Sequence, residues 1–276
     1  MIICDMITSR NNSRIKWVSS LSDKKHRQES KVFFVEGEKL MLEALDSSLP
    51  VAQIIVNEND LDRIVKMIGT RLDLQKYRST EIIPVSKPVF DKISTEKSPE
   101  GVITLIKYLD FFRNIAIIYK EEFFLGADER ALALCSVRDP GNLGSVIRSA
   151  AAFGVDHIIL SSDCADIYNP RTQRAAMGSL FHINVSIVQD FHAFVEAAKF
   201  NGRAVYAAEL REDAKSLSDV DLNGNDIFII GNEGHGIPIE IASACTASVY
   251  IPISSKTESL NASVAAALFM WEQSKH

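Results

Sequence analysis

Residues 131–160, ALALCSVRDPGNLGSVIRSAAAFGVDHIIL, decide the fold class. The two ends, ALALC and HIIL, are short apolar runs of strand length. Between them LGSVIRSAAAFG sets Leu143, Val146, Ile147, Ala150 and Ala151 at helical spacing. A strand, a helix and a second strand in so short a span imply parallel strands joined by a crossover helix. Downstream the alternation continues through PRTQRAAMGSLF, INVSIV, FHAFVEAAKF, RAVYAA, DIFIIG, IPIEIASAC, SVYIPI and SLNASVAAALFMWEQ. The expectation is an α/β domain with a mostly parallel sheet and helices on both faces.

Upstream, residues 1–107 read as a second, smaller α/β domain. A helical stretch, SRIKWVSSLSDKKHRQES, precedes the apolar run VFFVEG and a helix in EKLMLEALDS. Then come the β-branched run VAQIIVN, a helix near LDRIVKMIGT and a closing strand, GVITLIKY, after the breaker cluster Lys97-Ser98-Pro99-Glu100-Gly101. Residues 108–128 mix aromatic and acidic residues without a clean period and are treated as a linker and the approach to the second domain, 129–276.

With 276 residues, 46% hydrophobic and 24% charged, the chain has globular composition and room for two cores. Apolar runs such as VAAALFMW fall short of the roughly 20 residues that span a bilayer. The start, MIICDMITSRNNSR, lacks the apolar segment of a signal peptide, so the expected location is the cytoplasm, with no membrane partner. Cys4, Cys135, Cys164 and Cys245 form no C-x-x-C pair and have no histidine at zinc-ligand spacing. They read as buried reduced thiols, with neither a disulfide framework nor a metal site. The net charge of −6 argues weakly against nucleic acid, yet Arg10, Arg14, Lys16, Lys24, Lys25, Arg27 and Lys31 face only Asp23 and Glu29, a local +5. From charge alone, a solvated helix and a phosphate-binding face fit that segment equally.

Three stretches place glycines and polar residues where strands meet helices, the ligand-binding edge of open α/β sheets. In residues 138–154, RDPGNLGSVIRSAAAFG, Pro140-Gly141 turns the chain, Asn142 reads as the helix N-cap and Gly154 as its stop. Asn142, Ser145, Arg148 and Ser149 gather on the other side of that helix; taken alone, a salt bridge is the plainer reading of Arg148. In residues 226–238, DIFIIGNEGHGIP, three glycines permit close approach of backbone to a ligand, or merely a tight turn. Their positions, 231, 234 and 236, do not fit the dinucleotide fingerprint, and His235 reads as a loop residue rather than a base. In the third stretch, VYIPISSKTESLNASVAAALFMWE, Ser259, Asn261 and Ser263 lie at a helix start, where capping by Ser259 would suffice as an explanation.

Together the three stretches resemble the SpoU family of S-adenosylmethionine-dependent RNA 2′-O-ribose methyltransferases. NLGSVIRSAAAFGV matches the family's first motif, FIIGNEGHGI its second and IPISSKTESLNASVAAALFMWE its third, in the family's order, with YNPRTQRAAMGSLF resembling the segment after the second strand. FFVEGEKLMLEAL and ISTEKSPEGVITLI are similar to the ribosomal-protein-like α/β substrate-binding domain that many members carry.

The resemblance implies a C-terminal trefoil knot, an exception to the rule against knotted chains. It also implies S-adenosylmethionine held by backbone around Gly231, Ile251 and Leu260, with Ala208 lining the pocket. Family members often have threonine or serine in place of Ala208 and glycine in place of Ser255, so the two departures bear on cofactor affinity. Arg148, Asn142, Glu233, Ser259 and Asn261 match the polar active-site positions. The partners implied are RNA, ribosomal rather than transfer, and a second copy of the chain through the C-terminal domain, where Ala265, Ala266, Leu268, Phe269 and Trp271 offer an apolar stripe that a core would use equally well. A catalytically silent RNA-binding protein of this fold is the rival reading, opposed by the presence of all five polar positions. A nucleotide-dependent oxidoreductase is a second rival, disfavoured by the glycine spacing and the missing acidic ribose binder.

Overall fold

The computed structural model describes residues 1–70, 75–110, 112–115 and 123–276. They form two compact units, Met1–Leu109 with Tyr168–Phe181, and Asp110–Ile167 with His182–His276.

The first unit runs β1 (Ile2–Ile3), α1 (Ser13–Ser20), α2 (Lys24–Ser30), β2 (Val32–Glu36), α3 (Glu38–Asp46), β3 (Val51–Asn57), α4 (Leu61–Gly69), β4 (Glu81–Val85), α5 (Lys87–Ile93) and β5 (Val102–Lys107). Its mixed sheet has the order β1-β4-β3-β5-β2. β4 pairs in parallel with β1 and β3, while β5 is antiparallel to β2 and β3. Ile15, Val18 and Leu21 pack with Val89, Phe90, Phe34, Ile55 and Leu105 in one apolar cluster. The strand β4, the helix α5 and the edge strand β1 were not anticipated.

The basic helical stretch differs from expectation. Asn12 accepts from Arg14 N to start α1, and Asp23 accepts from Lys25 N at 2.7 Å to start a second helix, so the stretch breaks in two. Arg27 is only 1% exposed, and its Nη1 donates to the carbonyls of Leu21 and Ser22 at 2.7 and 2.8 Å. It therefore leaves the basic face and serves as an internal tie at the break. Arg10, Arg14, Lys16, Lys24, Lys25 and Lys31 remain exposed, Arg14 with Glu81 at 3.1 Å.

The second half of the chain runs β6 (Phe112–Ile115), β7 (Ala131–Leu134), α6 (Pro140–Ala152), β8 (His157–Ser161), α7 (Pro170–Ala176), β9 (Asn184–Val188), α8 (Phe191–Phe200), β10 (Val205–Ala208), β11 (Lys215–Ser216), β12 (Ile227–Ile230), α9 (Ile239–Ala244), β13 (Ala247–Tyr250) and α10 (Ala262–Gln273). Its eight strands have the order β11-β13-β10-β12-β7-β8-β9-β6, and every pair is parallel. Alternate residues of β12 serve opposite faces. Ile227 and Ile229 join Phe194, Val195, Ile241 and Ala242 of α8 and α9, whereas the Phe228 ring meets Phe269 of α10 at 4.8 Å. The parallel sheet read from the alternation is thus present. Phe112–Ile115, within the stretch treated as linker, adds an edge strand beside β9. The rest of that expectation, at residues 111 and 116–122, lies outside the described residues.

Helix α7 sits in the first unit rather than the second. There the Tyr168 and Tyr108 rings stack at 4.0 Å, the Tyr168 hydroxyl accepts from Leu109 N at 3.0 Å, and Arg174 pairs with Glu96 at 2.6 Å.

Candidate active site

The site grows from the loops at the carboxyl ends of β7, β10, β12 and β13. After β7, Asp139 rather than Asn142 caps α6, its side chain accepting from Asn142 N at 2.8 Å, with Pro140 in the first turn. Asn142 falls inside the helix, so its side chain is released from capping. Its Nδ2 donates to Glu233 Oε1 at 2.7 Å, and its Oδ1 accepts from Asn261 Nδ2 at 3.0 Å. Asn261, not Ser259, caps α10, its Oδ1 accepting from Ser263 N at 2.9 Å and Val264 N at 3.4 Å. Three residues 91 and 119 positions apart in sequence are thereby joined side chain to side chain.

The glycine loop after β12 owes its composition first to its own closure. Asn232 and Gly236 exchange backbone hydrogen bonds at 3.0 Å. A Cβ on Gly231 would lie 2.5 Å from the Gly236 carbonyl carbon, so no larger residue fits while that closure stands. Asn232, which the sequence reading passed over, organises the turn: Oδ1 accepts from Gly234 N at 2.9 Å and His235 N at 3.1 Å, and Nδ2 donates to the Ser136 carbonyl at 2.8 Å. His235 is an exposed loop residue, as expected.

A cavity of about 700 Å³ opens beside these loops. Ala208, Gly231, Ile251 and Leu260 all line it, as do Glu233, Ser255 and Ser259. Ile230, Val249 and Phe269 supply apolar wall, and Glu209 and Glu258 add carboxylates; among the described lining residues there is no lysine or arginine. The size suits a nucleoside-sized ligand, and carboxylates in a wall that itself carries no lysine or arginine suit one with positive charge. Glu209 also escaped the sequence reading; its Oε1 accepts from Ser248 Oγ at 2.8 Å and lies 3.4 Å from Arg211 Nη1.

Arg148 projects from α6 as an exposed side chain, and among the described residues it makes no hydrogen bond or ion pair. The salt bridge considered for it is absent there. Of the five polar candidates, the structure brings Asn142, Glu233 and Asn261 together. Ser259 lines the cavity, its carbonyl accepting from Thr257 Oγ1 at 3.2 Å.

The four thiols are free. Cys135 and Cys245 are buried, and desolvation pushes them up to about 11 and about 12, which keeps them protonated. Cys4 and Cys164 are half-buried, short of the full burial expected. Among the described residues no cluster of histidine, cysteine and carboxylate could hold a metal, and no helix is long and apolar enough to cross a membrane.

A parallel sheet with an acid-lined cavity at its carboxyl edge, closed by a glycine turn and bordered by an asparagine–glutamate cluster, places the molecule among α/β proteins that bind a ligand at the carboxyl ends of their strands. The chain belongs to the SpoU rRNA Methylase family, whose model matches residues 129–271, and residues 12–104 match the MRM3-like substrate binding domain. It is 29% identical over 265 residues to the 23S rRNA (guanosine(2553)-2′-O)-methyltransferase RlmP of Bacillus subtilis, covering 96% of this chain and 97% of that protein. The 23S rRNA (uridine(2479)-2′-O)-methyltransferase of Streptomyces viridochromogenes is 26% identical over 272 residues, 96% of this chain and 90% of that one. The crystal structure of an AdoMet-bound rRNA methyltransferase from Sinorhizobium meliloti superposes with a TM-score of 0.81 at 27% identity, over 99% of this chain and 98% of the other.

Proposed function

We propose that this chain methylates a ribose 2′-hydroxyl in ribosomal RNA, with S-adenosylmethionine as donor. The observation that carries the reading is the Asn142–Glu233–Asn261 cluster at the rim of the cavity, with an arginine that has no partner among the described residues on the helix that bears Asn142. The cofactor would lie against Gly231, Ile251, Leu260 and Ala208, and when bound it supplies an electrophilic methyl group on a sulfonium. Because Ala208 lacks a hydroxyl, recognition on that wall falls to backbone and to its neighbour Glu209. A guanidinium stays protonated at any physiological pH, so Arg148 holds the ribose or an adjacent phosphate and steadies the charge developing on the 2′-oxygen. Asn142 and Glu233 orient the ribose beside it, and the 2′-hydroxyl target restricts the substrate to RNA. Phosphate contacts come from the exposed basic residues of α1 and α2.

The same reading includes a trefoil knot in the second unit and a homodimer formed through it, working in the cytoplasm, with residues 129–276 as the methyltransferase part, 108–128 as linker and 1–107 as the RNA-binding part. The knot is supported by the path of the chain: after β13, beside β10 and away from β12, it returns so that Asn261 meets Asn142 at the head of α6. The dimer is supported by Val264, Leu268 and Trp271 on α10, which are 48%, 39% and 51% exposed at positions i, i+4 and i+7. Incubation of the protein with rRNA and methyl-labelled S-adenosylmethionine, followed by mapping of 2′-O-methyl sites, should return one modified nucleotide. Label on a base, or on transfer RNA alone, would refute the assignment.

A further inference from the structure

Asp163 lies outside all three motif stretches, in the turn after β8, and does not line the cavity. Both of its carboxylate oxygens are nonetheless engaged toward the site. Oδ1 accepts from Ser161 Oγ at 2.7 Å, and Oδ2 accepts from Ser136 Oγ at 2.7 Å and Arg138 Nη2 at 2.9 Å. Ser161 Oγ in turn accepts from Ser136 N at 2.8 Å, so one carboxylate fixes the side-chain donor of Ser136 directly and its backbone donor through one hydroxyl. Ser136 needs that support: its φ is +58°, a left-handed conformation that a residue with a Cβ adopts reluctantly. In that conformation its carbonyl accepts from Asn232 Nδ2, and Asn232 Oδ1 holds the amides of Gly234 and His235. Between Asn232 and Gly234 lies Glu233, whose carboxylate accepts from Asn142 Nδ2. An unbroken path of hydrogen bonds and one peptide step runs from Asp163 to the reaction centre.

We propose that Asp163 is a positioning residue for methyl transfer: by holding Ser136 in the left-handed conformation, it presents the carbonyl that seats Asn232 and keeps Glu233 in register with Asn142. This rests on the reading of Arg148, Asn142 and Glu233 given above. The other role open to Asp163, counter-ion to Arg138, has little to hold, since that arginine is 67% exposed and such pairs contribute little.

The two roles separate through Ser136, because glycine adopts a positive φ without help. Asp163→Ala should lower kcat on rRNA about tenfold or more, while KM for RNA and the calorimetric Kd for S-adenosylmethionine change less than about threefold. Ser136→Gly alone should lose less. In the double variant Asp163→Ala/Ser136→Gly, kcat should recover most of what Asp163→Ala removed, since the backbone no longer needs the carboxylate. A parental kcat in Asp163→Ala overturns the proposal, as does a loss that Ser136→Gly fails to restore. Should Asp163→Ala not fold, Asp163→Asn with and without Ser136→Gly poses the same question. Arg148→Ala measured alongside distinguishes the failures: if it is inactive while Asp163→Ala is fully active, only this inference falls, whereas an active Arg148→Ala removes the reading beneath it.

Discussion

At the amino ends of the strands in the second unit, Arg203 is 4% exposed, and its guanidinium donates to the carbonyls of Glu129 and Asn225 at 2.8 Å and to those of Gly126 and Ala127. Nearby, buried Gln273 donates to the Asp226 carbonyl, and buried His157 meets Ser186 Oγ at 2.8 Å. At the carboxyl ends, Asn142, Glu233 and Asn261 bond one another while staying within reach of solvent, and Arg148 has no partner among the described residues. The residue types are alike and their uses opposite. Where the polar groups are buried and tied to backbone carbonyls or to another buried side chain they secure the fold, and where they stay exposed with one side open they can meet a ligand.

The comparison breaks first at its two arginines. Arg203→Ala should cost stability on the order of 3 kcal/mol, because one buried side chain and its hydrogen bonds to four backbone carbonyls are lost at once, and activity should fall only in step with the folded fraction. Thermal denaturation with an activity assay on the folded pool checks this; a variant as stable as the parent would mean the amino-end network is idle. Arg148→Ala should show the inverse, with methyl transfer down roughly a hundredfold and the melting temperature unmoved. Arg148→Lys sharpens that result: full activity in lysine would exclude a two-oxygen grip and leave charge as the role.

An effect of at most similar size, and confined to low pH, lies in acid. Burial holds His157 down to about 4, with the Arg113 and Arg203 charges acting in the same direction. The unfolded chain takes up a proton near the ordinary value of about 6.5 while the folded one does not, so folding stability is lost as pH falls from about 6.5 toward 4. The loss should reach at most about 3 kcal/mol, and His157→Gln should flatten that limb of a stability–pH curve. An unchanged limb would place the acid sensitivity elsewhere. The smallest effect belongs to the first unit: exchanging Lys24 and Lys25 for glutamine should weaken rRNA binding modestly and reduce the slope of log affinity against log salt by about 1–2. A constant slope in filter binding would exclude that face.

What the sequence made legible was whatever periodicity or a local motif can encode. Strand and helix alternation after Ala131 translated directly into the parallel sheet, and all four positions expected to hold the cofactor line one cavity. What stayed hidden depended on competition between neighbours. Asn142 and Asp139 are both good caps three residues apart, and only the fold shows that Asp139 takes the helix end and frees Asn142 for Glu233. Arg27 looked like one more surface charge because nothing local tells that the carbonyls at a helix break will enclose it. Asn232, Glu209 and Asp163 act on partners 39 or 96 positions away, or through the strained backbone of Ser136, and no pattern of spacing announces such pairs.

Tyr168–Phe181 belongs to the first unit although the chain has by then already built β7, α6 and β8 of the second. A single cut after residue 109 therefore cannot yield two complete halves. The amino-terminal piece would lose the ring that stacks on Tyr108 and the arginine that pairs with Glu96, and the carboxyl-terminal piece would carry Tyr168 and Leu180 with nothing to cover them. Exchanging the first unit of this chain for another would have to carry two separate stretches of sequence, not one.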